Sequence, residues 1–479
     1  MLNKMMGGTF AFMLLAIMLA PSLYLITDLA SYDYHRVLQI LLFSVLLLAV
    51  TRFPARNALS GLPCLILFTC AALGILSAYI NGGFIHQWTE VGMMIALVAG
   101  ADSVARAYNR YPVALESWVK PAWLLGALVY SLLTVAYSYH LLSNAGGMTG
   151  YQPMHGFANP RFLNQYQGWF LPVLTGLLLM KSPPWLSRNT WECLVSFGAV
   201  MHWALIWQTQ GRGVMVGLIA STLLVALFMG KNGRRYASLT LLLSFLGALI
   251  AWLLFKTPAL VAETTRLTSS GLSRRDVLWA DAIGYVESSP WLGIGPMQLA
   301  TGPTEIATHP HNAVLQMAAE WGVPATLLLC MLLLWGFYRW FIWARSYNAA
   351  PNHEDSPWLV ALTASMTTAA VHSLVSGIIV MPMSQLMLVL VLGLAIGLYR
   401  SFNPIRSAGK PYIVQMFVLS GICAVMVLGA YAWSSKEIPL EIRRLQAEEA
   451  AQKKQGREIT ERSRPLNHPR FWVNGIISD

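Results

Sequence analysis

Long apolar runs are the feature that most constrains the fold of this chain. A helix that crosses a bilayer needs about 20 mostly apolar residues, because its backbone polar groups must be satisfied within the segment. Only 11% of the residues are charged, against about 25% in soluble proteins. The sequence therefore predicts an all-α polytopic membrane protein of about 12–13 transmembrane helices. The runs lie at 8–27, 37–51, 60–80, 89–105, 118–140, 166–181, 190–209, 214–230, 236–255, 322–343, 357–380, 383–399 and 412–433.

The same runs set the domain organisation. We expect a polytopic membrane domain over residues 1–433, interrupted by one large polar loop at 256–321, followed by a charged tail over 434–479. The loop is predicted to be partly helical. The cysteines lie inside the runs and have neither the spacing of a disulfide framework nor that of metal ligands.

The lysines and arginines predict the orientation. The N-terminal segment and the loops that share its side hold sixteen of them, whereas the opposite loops before the tail hold seven. By the positive-inside rule the first set is cytoplasmic and the large loop faces the periplasm. The tail is predicted outside, although an error of one span would move it inside. Because the basic residues are spread over short membrane-flanking loops, we expect lipid rather than nucleic acid as the partner of this charge.

The basic residues on the translocated side indicate an anionic ligand there. Four of the seven occur in segments rich in Gly, Pro, Asn and His. The alternative explanation, for residues of the large loop, is that long loops cross the membrane regardless of their charge. The seven are Arg36, Arg161, Arg212, Lys256, Arg266, Arg274 and Arg275.

The first translocated segment that attracts attention spans residues 143–167. Its Asn159, Arg161, Asn164 and Gln165 carry amide and guanidinium donors suited to sugar hydroxyls or phosphate oxygens. We predict sugar or acceptor binding by the first three. The alternative is a loop held only by Asn and Pro turn chemistry.

The second segment is the tight turn Gly211-Arg212-Gly213 between two runs. Flanking glycines leave the guanidinium room to reach a bulky anion, and arginine binds phosphate through two parallel hydrogen bonds. A structural arginine that pairs with a lipid phosphate is the alternative.

The third segment is the large loop. Residues 273–279 look like the start of an amphipathic helix, and 289–296 form a rigid turn. Further on, Asn312 is a good N-cap and Gly322 ends the short helix that it begins. His311 therefore lies at a helix N-terminus, where the dipole lowers the pKa of an imidazole and leaves it able to accept a proton. Asn312 is also a candidate sugar or acceptor ligand.

The pair His309 and His311 has two further interpretations. A metal site would need a third ligand, for which Asp276, Glu305 and His155 are available. The sequence has no carboxylate-rich motif for Mg²⁺ or Mn²⁺, so we expect no metal and no cofactor. A purely structural histidine pair is the other alternative.

The order of these motifs resembles that of the O-antigen ligase family. The features are a Gly-Arg turn after a mid-chain span, Arg275-x-x-x-Trp279, Pro290-Trp-Leu-Gly-Ile-Gly295 and His309-Pro-His-Asn312 leading to Glu320-x-Gly322. They cover roughly residues 150–325. The family includes lipopolysaccharide O-antigen ligases, bacterial O-linked protein oligosaccharyltransferases and O-antigen polymerases.

The resemblance implies an inner-membrane glycosyltransferase whose site faces the periplasm. It implies metal-independent, inverting transfer of a glycan from undecaprenyl diphosphate. Arg212 and Arg275 would hold the diphosphate, with Arg274 as a second candidate beside Arg275. His311 would be the catalytic residue, with His309 assisting. The acceptor stays open between lipid A-core, a protein Ser/Thr, and another lipid-linked repeat in a polymerase.

Two other classes of protein are compatible with the composition. A transporter or flippase of lipid-linked sugar would be expected to carry several ionisable groups within its spans. This chain has few, of which Asp102 and His372 are the clearest, and its basic groups gather in the outward loops. A scaffold protein of the cell envelope would leave the loop arginines and histidines replaceable.

Overall fold

The described part of the chain is built of helices. The structure, a computed structural model, describes residues 2–26, 31–51, 61–144, 154–254, 275–301, 307–349 and 356–403. These residues contain no strand. Their α-helices are α1 (Leu2–Leu23), α2 (Ser31–Thr51), α3 (Leu62–Ile80), α4 (Ile85–Arg110), α5 (Pro112–Asn144), α6 (Pro160–Gly176), α7 (Arg188–Thr209), α8 (Arg212–Phe228), α9 (Gly230–Leu254), α10 (Arg275–Ser288), α11 (Ala313–Trp321), α12 (Val323–Ala349), α13 (Ser356–Ser373) and α14 (Pro382–Phe402).

The predicted all-α polytopic fold is confirmed. Each apolar run before residue 404 overlaps one of these helices. Within the described residues, six helices are long and apolar enough to cross a membrane: α3, α4, α5, α9, α12 and α14. The large loop is partly helical as predicted, since α10 and α11 lie in it. The run at 412–433, the tail at 434–479 and Arg274 lie outside the described residues.

Helix α6 lies at the centre of the bundle. Every residue from Leu163 to Gly176 is buried. Neighbouring helices donate side-chain hydrogen bonds to its backbone, from the Trp123 indole to the Phe170 carbonyl (3.0 Å) and from the Tyr236 hydroxyl to the Pro172 carbonyl (3.3 Å). Because lipid supplies little hydrophobic drive between helices, such bonds and close packing hold a membrane bundle together.

Helices α4 and α14 pack closely through small residues. A Cβ on Gly393 would lie 2.5 Å from the Val104 side chain, and one on Gly397 would lie 2.7 Å from that of Tyr108. The two glycines are four residues apart and so lie on one helical face. Their lack of side chains lets the two backbones approach, as small residues do in membrane helix pairs.

The loops predicted on the translocated side meet at one end of the bundle, which we call the site end. The Ser77 hydroxyl near the end of α3 donates to the Leu292 carbonyl (2.5 Å). The Arg36 guanidinium near the start of α2 donates to the Val380 carbonyl (2.9 Å). The alternation of helices thus gathers segments that are far apart in sequence.

Candidate active site

The His-Pro-His-Asn motif begins helix α11. The Asn312 side-chain oxygen accepts hydrogen bonds from the backbone N–H groups of Val314 (3.0 Å) and Leu315 (3.1 Å). The predicted N-cap is therefore confirmed. His311 directly precedes it with φ 54°, in the left-handed region that residues with side chains rarely adopt. Such strain persists only where the surroundings impose it, and it clusters at functional sites.

His309 stabilises this backbone conformation of His311 through a hydrogen bond and a ring contact. Its Nδ1 accepts a hydrogen bond from the His311 backbone N–H (3.3 Å), and the two rings meet edge to face with centroids 4.3 Å apart. The His309 ring is buried and lies against Gly377, where a Cβ would overlap the imidazole. His309 is thus a buried support for the backbone of His311.

The turn at residues 290–295 holds the other end of α11. The backbone N–H groups of its last two residues donate to the carbonyls of Ala319 (2.8 Å) and Glu320 (3.1 Å). The Val323 N–H donates back to the first carbonyl of the turn (2.8 Å). Gly322 has φ 84° and lies so close to the turn that a Cβ would overlap its backbone. This motif therefore fixes α11 against α12 and serves the fold of the site.

Helix α10 places Arg275 beside the histidines. One turn after Arg275, the Trp279 indole donates to the Pro310 carbonyl (2.9 Å), so this face of α10 lies on the His311 segment. The Arg275 Nε atom is buried and makes no hydrogen bond. Burial lowers the pKa of Arg275, and the charges of Arg161 and Arg212 lower it further. The guanidinium groups of Arg161 and Arg212 therefore lie within electrostatic reach of Arg275.

Arg212 is the first residue of α8. The preceding helix ends at Thr209, and its C-cap Gln210 has φ 49°. Gly211 packs so closely on Asn164 that a Cβ would overlap the amide oxygen. On the other side of the turn, a Cβ on Gly213 would lie 2.8 Å from the His372 ring. The predicted tight turn is confirmed, and it places the arginine at a helix N-terminus that favours anions.

The predicted sugar-binding asparagines make hydrogen bonds within the fold. The Asn159 side chain caps α6 by accepting from the Arg161 N–H (2.9 Å). Asn164 is buried, and its amide donates to Thr209 Oγ1 (2.9 Å) and Gln167 Oε1 (3.1 Å). A role of these residues, of Arg161 or of the capping Asn312 toward sugar or acceptor stays a prediction.

A loop at residues 374–381 belongs to the site, although the sequence predicted that its residues up to 380 continue a span. Helix α13 ends at Ser373, and the loop passes beneath His309 through Gly377. Gln165 donates to Ser376 Oγ (2.8 Å), and Gln385 donates to the Ile379 carbonyl (2.7 Å). No signal in the apolar run distinguished this irregular stretch from helix.

Buried Arg36 fixes the same loop from α2. Its guanidinium donates to Gln39 Oε1 (2.6 Å), to Gln385 Oε1 (2.7 Å) and to the Val380 carbonyl (2.9 Å). Its side chain is 1% exposed. This arginine, which the sequence predicted on the translocated side, therefore serves the fold.

The pKa of His311 is lowered to about 3. Burial is the main cause, and the positive charges of Arg161 and Arg275 add to it. The direction agrees with the sequence prediction, whereas the main cause differs, since that prediction invoked the helix dipole. The imidazole is neutral at neutral pH and has a nitrogen able to accept a proton.

The described residues provide no third ligand for a metal site at His309 and His311. Among them there is no group of three or more His, Cys, Asp or Glu side chains able to hold an ion. Glu305, one of the three ligands considered for the His309–His311 pair, lies outside the described residues.

Fold and site define a class: a polytopic α-helical membrane protein with arginines and a neutral histidine gathered at one end of the bundle. A family model described as O-antigen ligase matches residues 197–330, a stretch that contains Arg212, Arg275 and His311. An O-antigen ligase of Pseudomonas aeruginosa (strain PAO1) is 28% identical over 345 residues, which are 70% of this chain and 79% of the relative. The chain is therefore similar to the O-antigen ligase family, which its motifs resemble.

Proposed function

We propose that this protein transfers a glycan from undecaprenyl diphosphate to an acceptor hydroxyl at the periplasmic face of the inner membrane. The observation that carries the proposal is the neutral imidazole of His311, held beside Arg275 and within electrostatic reach of Arg161. This arrangement offers a base next to a group of cations, which are the two things that such a transfer needs.

The arginines are suited to the leaving group. When the bond between the anomeric carbon and the phosphate oxygen breaks, the electron pair stays on the diphosphate. Arg212 and Arg275 stabilise that charge, and Arg212 begins a helix whose N-terminal dipole favours an anion. Arginine is the appropriate cation because its planar fork matches two phosphate oxygens at once.

His311 is suited to the acceptor. The acceptor oxygen attacks the anomeric carbon from the face opposite the diphosphate, and its proton passes to the free nitrogen of the imidazole. A single displacement of this kind inverts the anomeric configuration. With cations on the leaving group and a base on the acceptor, the reaction has no step that requires a metal ion. Addition of EDTA is therefore expected to leave transfer unchanged.

Lipid A-core is the acceptor that we propose, because the similar protein from P. aeruginosa carries the name O-antigen ligase. The test offers purified protein in nanodiscs a lipid-linked glycan donor with three acceptors in parallel: lipid A-core, a Ser/Thr-bearing protein, and a second lipid-linked repeat. We expect a glycosylated lipid A-core product. Product on the protein or a lengthened lipid-linked polymer would reassign the acceptor, and an unchanged donor with all three would contradict the transferase itself.

The orientation is tested separately with reporter fusions. We expect a fusion after residue 300, in the large loop, to be periplasmic. Most basic residues before the tail lie in the loops on the other side of the membrane, and the positive-inside rule makes that side cytoplasmic. A fusion after residue 233, at the start of α9, is expected to be cytoplasmic. Phosphatase and fluorescent-protein reporters at each position measure this. If both fusions report one side, the topology and the proposed periplasmic site are wrong together.

A further inference from the structure

One face of α6 contacts two parts of the site. Arg161, Asn164 and Gln165 lie on this face, because residues three and four apart are neighbours on a helix. Asn164 contacts Gly211. Gln165 donates a hydrogen bond to Ser376 Oγ (2.8 Å). Both contacts are made in the first turns of the helix, at the site end.

These contacts show what lies next to the first turn. Gly211 immediately precedes Arg212 in the chain, and His309 packs on the residue that follows Ser376. Arg161 is one turn closer to the site end than the residues that make these contacts. Arg161 is partly buried and lies on the same helix face, toward the end of the bundle that holds Arg212 and the histidine pair.

The electrostatics agree with this placement. The positive charge of Arg161 contributes, after burial, to the lowered pKa values of both His311 and Arg275. Arg212 acts on Arg275 in the same way. Cations gathered at one place produce a positive potential that attracts an anionic ligand.

We propose that Arg161 is the third cation of the donor site and binds the diphosphate itself, together with Arg212 and Arg275. The inference rests on the proposed function. It replaces the sequence prediction for Arg161, which was sugar or acceptor binding. A diphosphate that links a lipid to a glycan carries one negative charge on each phosphate, and so it offsets a cluster of cations. Neutral sugar hydroxyls do not.

The experiment measures binding without a sugar. Undecaprenyl diphosphate that lacks a glycan is titrated into purified protein in nanodiscs, for wild type and for Arg161→Gln, Arg161→Lys, Arg212→Gln and Arg275→Gln. Loss of one charge-assisted contact is expected to weaken binding about tenfold to hundredfold. Arg161→Lys keeps the charge and should recover part of the affinity. Arg110→Gln, an exposed arginine at the far end of α4, is the matched control and should bind as wild type.

The variants are expected to fold, because Asn159 caps α6 through the Arg161 backbone N–H and not through its side chain. Size-exclusion profiles and thermal stability check this for each protein. If Arg161→Gln binds the glycan-free carrier as wild type while Arg212→Gln and Arg275→Gln do not, the third-cation role is wrong and the donor site stands. If all three bind as wild type, the proposed donor site fails as well.

Discussion

His311→Ala is expected to lower the rate of glycan transfer by a factor of about 10² to 10⁴, the usual contribution of a general base. Binding of the donor should change little, because the imidazole is neutral in the resting protein and contributes no charge to the arginine cluster. Purified protein with a lipid-linked glycan donor gives both quantities, the first from product formation and the second from titration without acceptor.

Two companion variants separate chemistry from support. His309→Ala removes the acceptor of the His311 backbone N–H and the ring that packs on Gly377, so it should weaken transfer less than His311→Ala. His140→Ala, at an exposed histidine on α5, should retain wild-type activity. Equal loss in His309→Ala and His311→Ala, together with zinc restoring an EDTA-inhibited enzyme, would replace the general base with a metal site.

The pH dependence provides an independent check on His311. The base works in its neutral form, so activity is lost as pH falls through its pKa. An ordinary histidine loses its neutral form below about pH 6.5. Because burial and two arginines lower the pKa of His311 to about 3, kcat/KM should stay level from neutral pH down to about pH 5. A fall in kcat/KM near the ordinary histidine pKa that disappears in His311→Ala would show that the imidazole is not held neutral.

The sequence predicted the bundle well because a membrane leaves few alternatives. Apolar runs must form helices when water is excluded, and each run before residue 404 overlaps one. Local chemistry was equally informative at Asn312, whose side chain caps the helix that the motif predicted. The Gly211–Arg212 turn also followed from its own residues.

The features of the site that the sequence did not predict depend on tertiary contacts. The chain leaves α13 at Ser373 although its apolar composition continues, and the loop that follows is held by Arg36 from the start of the chain. Asn164 has the side chain of a sugar ligand, yet its amide reaches Thr209 on another helix. Such partners are distant in sequence and leave no local pattern.

Arg212→Lys is expected to impair transfer strongly, and Arg212→Ala more strongly still. Lysine keeps the charge but loses the planar fork that holds two phosphate oxygens, so it should retain only part of the stabilisation. Each charge-assisted bond contributes about 1.5–3 kcal/mol, which makes the loss in the alanine variant roughly tenfold to hundredfold or greater. Transfer rate and donor titration measure both effects, while the amount of protein in the membrane should match wild type.

The turn around Arg212 allows a sharper control. His372 lies against Gly213 and Asn164 against Gly211, so substitution of either glycine would disturb the backbone together with the guanidinium. The arginine side chain, in contrast, can be changed while both glycines and their contacts stay. Arg110→Lys and Arg110→Ala at the far end of α4 match the two substitutions in chemistry and should transfer as wild type. Wild-type transfer by Arg212→Ala would show that this arginine only anchors the protein to a lipid phosphate, and the leaving group would then depend on Arg275 and its neighbours.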